Sequence, residues 1–429
     1  MSYPEPFLRR MEERLGAEVE AFLQALTAAP KTTIRLHPYK GATLFPDAER
    51  VPWHPLGRIL SARPDFEKEP LWHAGAYYVQ EASGMSMRAF IPPKRPLRVI
   101  DLSAAPGGKA TLILGELGLS GGLLIANDPE PRRRSALQEN LERWGIPAYF
   151  ITGRHPQYWA QRYPALFDLV ILDAPCSGEG LWRKDNRAIC QWSPQLVQRM
   201  QRLQRNLLFA AKALTAPGGR LIYSTCTFSP QENEENLAYA FADDREWEPV
   251  LWENPPSEVV PISYEGGGVG YYFYPHRSPG EGFFISAWQR RGNPTRKIVS
   301  SLKPLSHPPY PLPAEIQAFR FKEETYALTE AAMALLPPQW EKENWNAFPL
   351  GSAVRPAHAA ALLAGGMAAA FPSRLLEASD FEEYLHGELF EPKAPIEWVT
   401  VKGLGVGWLY KGKPSLPFTW RRFLRHRSR

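Results

Sequence analysis

From Leu97 onward the chain alternates between two hydrophobic periods. Short, largely apolar runs at Leu97–Leu102, Leu123–Ala126, Ala148–Ile151, Phe167–Leu172 and Gly219–Ser224 predict strands. Between them, Lys109–Leu117, Arg132–Trp144, Gln157–Tyr163 and Pro194–Leu214 carry apolar residues at helical spacing. In the last of these Leu196, Met200, Leu203, Leu207 and Leu214 share a face. This alternation predicts an α/β fold, a mostly parallel sheet with helices on both faces, and Phe283–Trp288 reads as a final strand. Upstream, Leu8, Met11, Leu15, Val19, Phe22, Leu23 and Leu26 predict one helix over 5–28, and Thr32–Leu36 a short strand. Five prolines between Lys303 and Pro313 read as a linker. Beyond it lie Ala-rich helical stretches, then short glycine-broken strands over Val399–Tyr410. The expected division is an N-terminal α+β region (1–75), an α/β domain (76–292), a linker (293–313) and a C-terminal α+β module (314–429).

Candidate chemistry collects where the strands end, the side on which open parallel sheets bind ligands. The first strand runs into Ser103-Ala104-Ala105-Pro106-Gly107-Gly108-Lys109, whose small residues allow close approach of backbone to a ligand. The second ends at Asp128, placed to hold ribose hydroxyls or to cap the next helix. The loop lacks the G-x-G-x-x-G spacing of pyrophosphate binders. S-adenosylmethionine, an adenosine with an amino-acid carboxylate and no phosphate, suits it better. The fourth strand ends in Asp173-Ala174-Pro175-Cys176 and the fifth in Thr225-Cys226. A capping box over Ser229, Pro230 and Glu232 is expected to start a helix beside Cys226 and favour its thiolate. Cys190 lies outside these motifs and reads as structural.

Charge and composition add less. The net charge is +5, and 44% of residues are hydrophobic, enough for a substantial core. Three cysteines without framework spacing suit reduced thiols, hence a cytoplasmic protein. No run reaches the length of a membrane span, no metal-ligand spacing is present, and a monomer is expected. Arginines cluster at Arg132–Arg134, at Arg290-Arg291 with Arg296-Lys297, and over 420–429, where five arginines accompany a histidine. Each cluster suits either phosphate contact or solvated surface.

Taken together, Asp101–Lys109, Asp173–Gly180, Ser224-Thr225-Cys226 with Pro230, Glu232, Asn233 and Glu234, and the earlier Tyr78–Ser83 resemble the Sun/Fmu-type RNA (cytosine-5)-methyltransferases. The motifs span roughly 31–290. The resemblance implies a Rossmann-like class I methyltransferase sheet, S-adenosylmethionine as donor and an RNA cytosine as acceptor. It makes Cys226 the nucleophile and Cys176 an aid to turnover. It places Ser103–Lys109 at the methionine end of the cofactor, Asp128 at its ribose, and Asp173 between cofactor and cytosine. It gives Lys184 a part in holding substrate, and Arg35 of the N-terminal region another. Two positions depart from the family. Thr152 stands where an acidic adenine contact is usual, so Thr152 or the backbone there is expected to contact the adenine, and Arg35-Leu36-His37 replaces an Arg-x-Asn. Tyr384–Glu388 and Gly403–Trp408 resemble the PUA-like C-terminal module of the bacterial RsmF type, which implies 16S rRNA or the 30S subunit as partner.

In that reading, Cys226 adds to cytosine C6, Asp173 stabilises charge at N3, and Cys176 assists elimination. Trp182 and Tyr223 suit either stacking on the base or core packing. A tRNA cytosine-5 methyltransferase and a non-catalytic RNA-binding assembly factor are the alternatives. The two cysteines together with Asp173 argue against the second.

Overall fold

The computed structural model describes residues 3–93, 96–185, 187–293, 302–367, 369–417 and 420. Its centre is a nine-stranded mixed sheet. From one edge the parallel part runs Tyr149–Thr152, Gly122–Asn127, Leu97–Asp101, Phe167–Asp173 and Thr215–Thr225. Phe283–Arg290 then joins antiparallel to Thr215–Thr225, followed by Gly268–Phe273 and Val259–Tyr264. The strand Leu97–Asp101 is covered on both faces and buried along its whole length, Arg98 included, whose Nε donates to the Leu335 carbonyl at 2.7 Å. The strand order reverses between Leu97–Asp101 and Phe167–Asp173, which opens a crevice at their carboxyl ends.

The N-terminal helix is two helices. Glu5–Leu15 and Val19–Thr27 meet at Gly16, whose φ of 52° a side chain would strain. The bend lets Phe7 and Met11 on one piece and Phe22 and Leu26 on the other all be buried. The strand Tyr77–Val79 pairs antiparallel with Thr32–Leu36, so the N-terminal sheet extends past the expected boundary at 75.

The proline-rich segment is packed, not a free spacer. Leu305 N–H donates to the Ala318 carbonyl at 2.8 Å, and the buried Tyr310 hydroxyl to that of Leu350 at 2.6 Å. The rest of the expected linker, with Arg296 and Lys297, lies outside the described residues, as do the arginines of 421–429. The C-terminal part holds two small sheets. One comprises Ile316–Phe321, Glu324–Thr329 and Phe348–Pro349; the other Ser373–Leu375, Ile396–Val401, Leu404–Tyr410 and Lys413–Ser415. The first covers the open edge of the main sheet. Asn346 exchanges both backbone hydrogen bonds with Ile151 (2.7 and 3.0 Å), and Trp340 and Trp345 pack on Phe150. These contacts merge the two parts into one core.

Candidate active site

The crevice holds a cavity of about 450 Å³ lined by Ser103–Pro106, Gly108, Lys109, Asp173, Lys184 and Cys226, with Gln80, Glu81 and Phe283 from flanking segments. The volume suits a small-molecule site. The turn into the helix Gly108–Leu117 is made by Gly107 at φ 118°, where an added Cβ would meet Asn140 at 3.3 Å. Below the loop, Asp101 is fully buried. Its Oδ1 accepts from Ser103 N–H at 3.1 Å, while Oδ2 has no partner. Burial pushes its carboxyl up to about 7.

Asp173 accepts from Ser224 Oγ at 2.7 Å and from Lys109 Nζ at 2.8 Å. Burial works against the Lys109 ammonium, but Asp173, Asp101 and Cys226 outweigh it and raise its pKa overall. Lys109 is thus a cation fixed on Asp173 in the cavity that Cys226 also lines, a role the loop's sequence did not disclose.

Cys176 and Cys226 meet, with 3.2 Å between sulfurs. The contact with Cys226, reinforced by burial, raises the Cys176 pKa well above the ordinary thiol value, which keeps it as S–H. Two buried glutamates hold this geometry. Glu232 accepts from Ser177 N–H and Gln204 Nε2, each at 2.9 Å. Glu179 reaches the other way to Phe228 N–H at 3.0 Å and Trp192 Nε1 at 2.9 Å, and Arg10 pairs with it at 2.6 Å. Gly180 N–H donates to the Cys226 carbonyl at 2.8 Å. The two cysteine loops are therefore cross-tied, each by a carboxylate from the other.

This replaces the expected capping box. Glu232 caps nothing: the helix starts at Glu234, and Asn233 before it accepts from Thr225 Oγ1 at 2.6 Å and donates to the Thr227 carbonyl at 3.0 Å, on either side of Cys226. Glu179 went unnoticed in the sequence, where nothing separates it from the other polar residues of its motif.

Other expected site residues stand elsewhere. Asp128 is 1% exposed and faces inward, accepting from Ala105 N–H at 3.2 Å and Glu130 N–H at 3.0 Å. Arg133, 3.4 Å from its carboxylate, lies between it and the cavity loop and also donates to the Ala105 carbonyl. Arg134 binds the Asp128 carbonyl at 2.9 Å, and Arg290 and Arg291 pair with Glu246 and Glu248. Arg134, Arg290 and Arg291 are engaged within the protein, whereas Arg133 also lines the cavity. Thr152 is buried, donates to Asn127 Oδ1 at 3.0 Å and lines a separate hollow beside Asn346, so it is not part of the cavity. Arg35 is also no surface contact. It is 2% exposed, bound to Gln80 (2.6 Å) and Thr111 (2.7 Å), and lies 4.4 Å from the centre of the Trp144 ring. Lys184 does reach the cavity rim, 3.6 Å from Glu281. Trp182 and Tyr223 are core residues, each 1% exposed, and Cys190 is exposed.

The donor set fits S-adenosylmethionine. The loop presents backbone and small side chains instead of a phosphate cradle, and the Asp173 carboxylate in the cavity lining offers an acceptor for an ammonium group. The comparisons agree. A model of the 16S rRNA methyltransferase RsmB/F family matches residues 89–289, and one of the N-terminal domain of 16S rRNA methyltransferase RsmF matches 3–82. Ribosomal RNA small subunit methyltransferase F of Salmonella heidelberg is 32% identical over 364 residues, covering 78% of this chain and 71% of that protein. The Cronobacter sakazakii protein of the same name is 33% identical, covering 74% and 67%. A methyltransferase homologue from Pyrococcus horikoshii superposes with a TM-score of 0.58 at 25% identity, covering 67% of this chain and 96% of that one. NSun6 from the same organism, solved with SFG, shares the fold at TM-score 0.56 and 20% identity, covering 68% and 99%. The chain belongs to the RsmB/F family of 16S rRNA methyltransferases and is an S-adenosylmethionine-dependent RNA methyltransferase.

Proposed function

We propose that the protein methylates C5 of cytosine in 16S rRNA through a covalent Cys226–C6 adduct. The observation that carries this is the thiol pair at 3.2 Å beside the Lys109–Asp173 ion pair in one cavity. Cytosine C5 is a weak nucleophile. Addition of the Cys226 thiolate to C6 forms an S–C6 bond and moves electron density to C5. S-adenosylmethionine, held by Ser103–Lys109 with Asp173, supplies a methyl group on a sulfonium, the electrophile that C5 needs.

Asp173 already accepts from Lys109 and Ser224, so its part is to accept from the base's exocyclic amine. The Lys109 ammonium is the donor that meets charge developing at N3 during attack. This moves to Lys109 the N3 role expected of Asp173. After the C5 proton leaves to water, the C5–C6 double bond re-forms and Cys226 departs. Cys176, held as S–H, donates to the departing sulfur and stabilises it as thiolate.

The N-terminal region and the four-stranded C-terminal sheet, in the PUA-like role its motifs suggest, are assigned to binding the RNA. No described helix is long and apolar enough to cross a membrane. We place the enzyme in the cytoplasm as a monomer acting on 16S rRNA or the 30S subunit. The test is tritium transfer from labelled S-adenosylmethionine to 16S rRNA, 30S subunits and bulk tRNA, with nucleoside digestion. The expected product is 5-methylcytidine in the small-subunit samples alone. Label confined to tRNA overturns the substrate, and label on another nucleoside overturns the chemistry.

A further inference from the structure

We propose that Leu181 is a wedge that enters the RNA base stack and fills the space vacated by the target cytosine; this rests on the reading that a base enters the Cys226 cavity. Leu181 lines the cavity, yet it is 43% exposed. The other large apolar side chains of the lining are sheltered: Phe283 is buried, and Tyr78 and Val79 are half-buried. Of the nine large apolar side chains exposed among the described residues, Leu181 alone lines this cavity, where a base leaving its stack would pass it.

The side chain is presented on a rigid support. Its neighbours Glu179 and Trp182 are 0% and 1% exposed. Leu181 N–H donates to the Gly178 carbonyl at 2.9 Å, and its own carbonyl accepts from Lys184 (2.9 Å) and Asp185 (3.0 Å) N–H groups. Gly178, at φ 75°, turns the chain outward just before it. Gly180 cannot carry a side chain, because a Cβ there would lie 2.5 Å from the Gly282 carbonyl oxygen. The Gly180 hydrogen bond to the Cys226 carbonyl then fixes this turn to the residue that carries the nucleophile.

Placing cytosine C6 against a thiolate requires taking the base out of its stack, and an apolar side chain inserted at the gap offsets part of the lost stacking. Leu181 has the needed chemistry, exposure and rigidity. Lys184, three residues on with 44% of its side chain exposed, puts a cation on the same lip for the RNA backbone.

The test compares wild type, Leu181→Ala and Leu181→Met on two RNAs. One is transcribed 16S rRNA folded with magnesium. The other is a short unstructured oligoribonucleotide spanning the cytosine that wild type methylates. For Leu181→Ala, kcat/KM on folded RNA relative to the oligonucleotide is expected to fall about tenfold, the scale of a lost stacking contact, and Leu181→Met to restore most of it. Equal losses on both RNAs, or no loss on either, overturn the wedge. Wild-type protein that forms no 5-methylcytidine in any RNA instead overturns the reading beneath it, and the wedge with it.

Discussion

The sulfurs of Cys176 and Cys226 stand 3.2 Å apart although 50 residues separate them in the chain. They meet because the strands before them are parallel neighbours, with Asp173 in register with Ser224 at their ends. Glu232 and Glu179 then tie the two loops together. Two thiols thus share one site with the Lys109–Asp173 ion pair.

The two thiols should fail in different ways. Cys226→Ala is expected to lower methyl transfer by roughly a thousandfold or more and to form no adduct. Cys176→Ala should still attack but release slowly, and so accumulate a protein–RNA species that migrates slowly on a denaturing gel. Normal turnover without Cys176 would remove it from the mechanism.

In the proposed mechanism the Lys109 ammonium meets charge at N3, so Lys109→Met should reduce kcat by about a hundredfold or more while the protein stays folded. Single-turnover rates on 16S rRNA check this.

Glu232→Ala leaves the Ser177 N–H buried without an acceptor and should cost about 1–3 kcal/mol of stability. Glu232→Gln keeps an acceptor oxygen and should recover much of that loss. Thermal unfolding of both variants decides it, and adduct formation should follow the same order.

Arg35→Ala should act on folding, not on RNA affinity. It removes the donor to Gln80 Oε1 and one of the Thr111 hydrogen bonds and opens a hole beside Trp144, for a cost of about 2–4 kcal/mol. A lowered melting temperature with an unchanged KM for RNA is expected; a raised KM in folded protein would return Arg35 to the interface.

Asp101 gives the cofactor-free protein a pH dependence of known sign. Its folded pKa, about 7, lies above the ordinary carboxylate value, so the folded state holds the proton more tightly than the unfolded state. Its contribution is fully present below about pH 4 and is lost as pH rises to about 7. Asp101→Asn should flatten that decline by about 1–3 kcal/mol in denaturant titrations between pH 5 and pH 8.

Much of the catalytic domain was legible along the chain. The apolar runs gave every parallel strand to within a few residues, because strands buried on both faces are largely apolar. Ser103–Lys109, Asp173 and Cys226 were legible for a related reason: residues at strand ends on one side of a parallel sheet converge whatever lies between them. The N-terminal helix was misjudged because its apolar face runs on through Gly16, and only packing on the catalytic domain shows the bend. Arg35, Arg133 and Thr152 read as surface or ligand contacts because a polar side chain's partner can lie anywhere in the sequence.

By itself the sequence determined the parallel sheet, the cofactor loop and the two cysteines at strand ends, since hydrophobic period and strand-end chemistry are local properties. Only the tertiary structure decided that the thiols touch, that Lys109 binds Asp173 in the cavity Cys226 lines, that Glu179 and Glu232 cross-tie the loops, and that the proline-rich segment is packed into the core. Those are contacts between residues distant in sequence. Hydrogen bonds and ion pairs act over a few ångströms in space, and a linear pattern carries no record of which buried polar group will meet which.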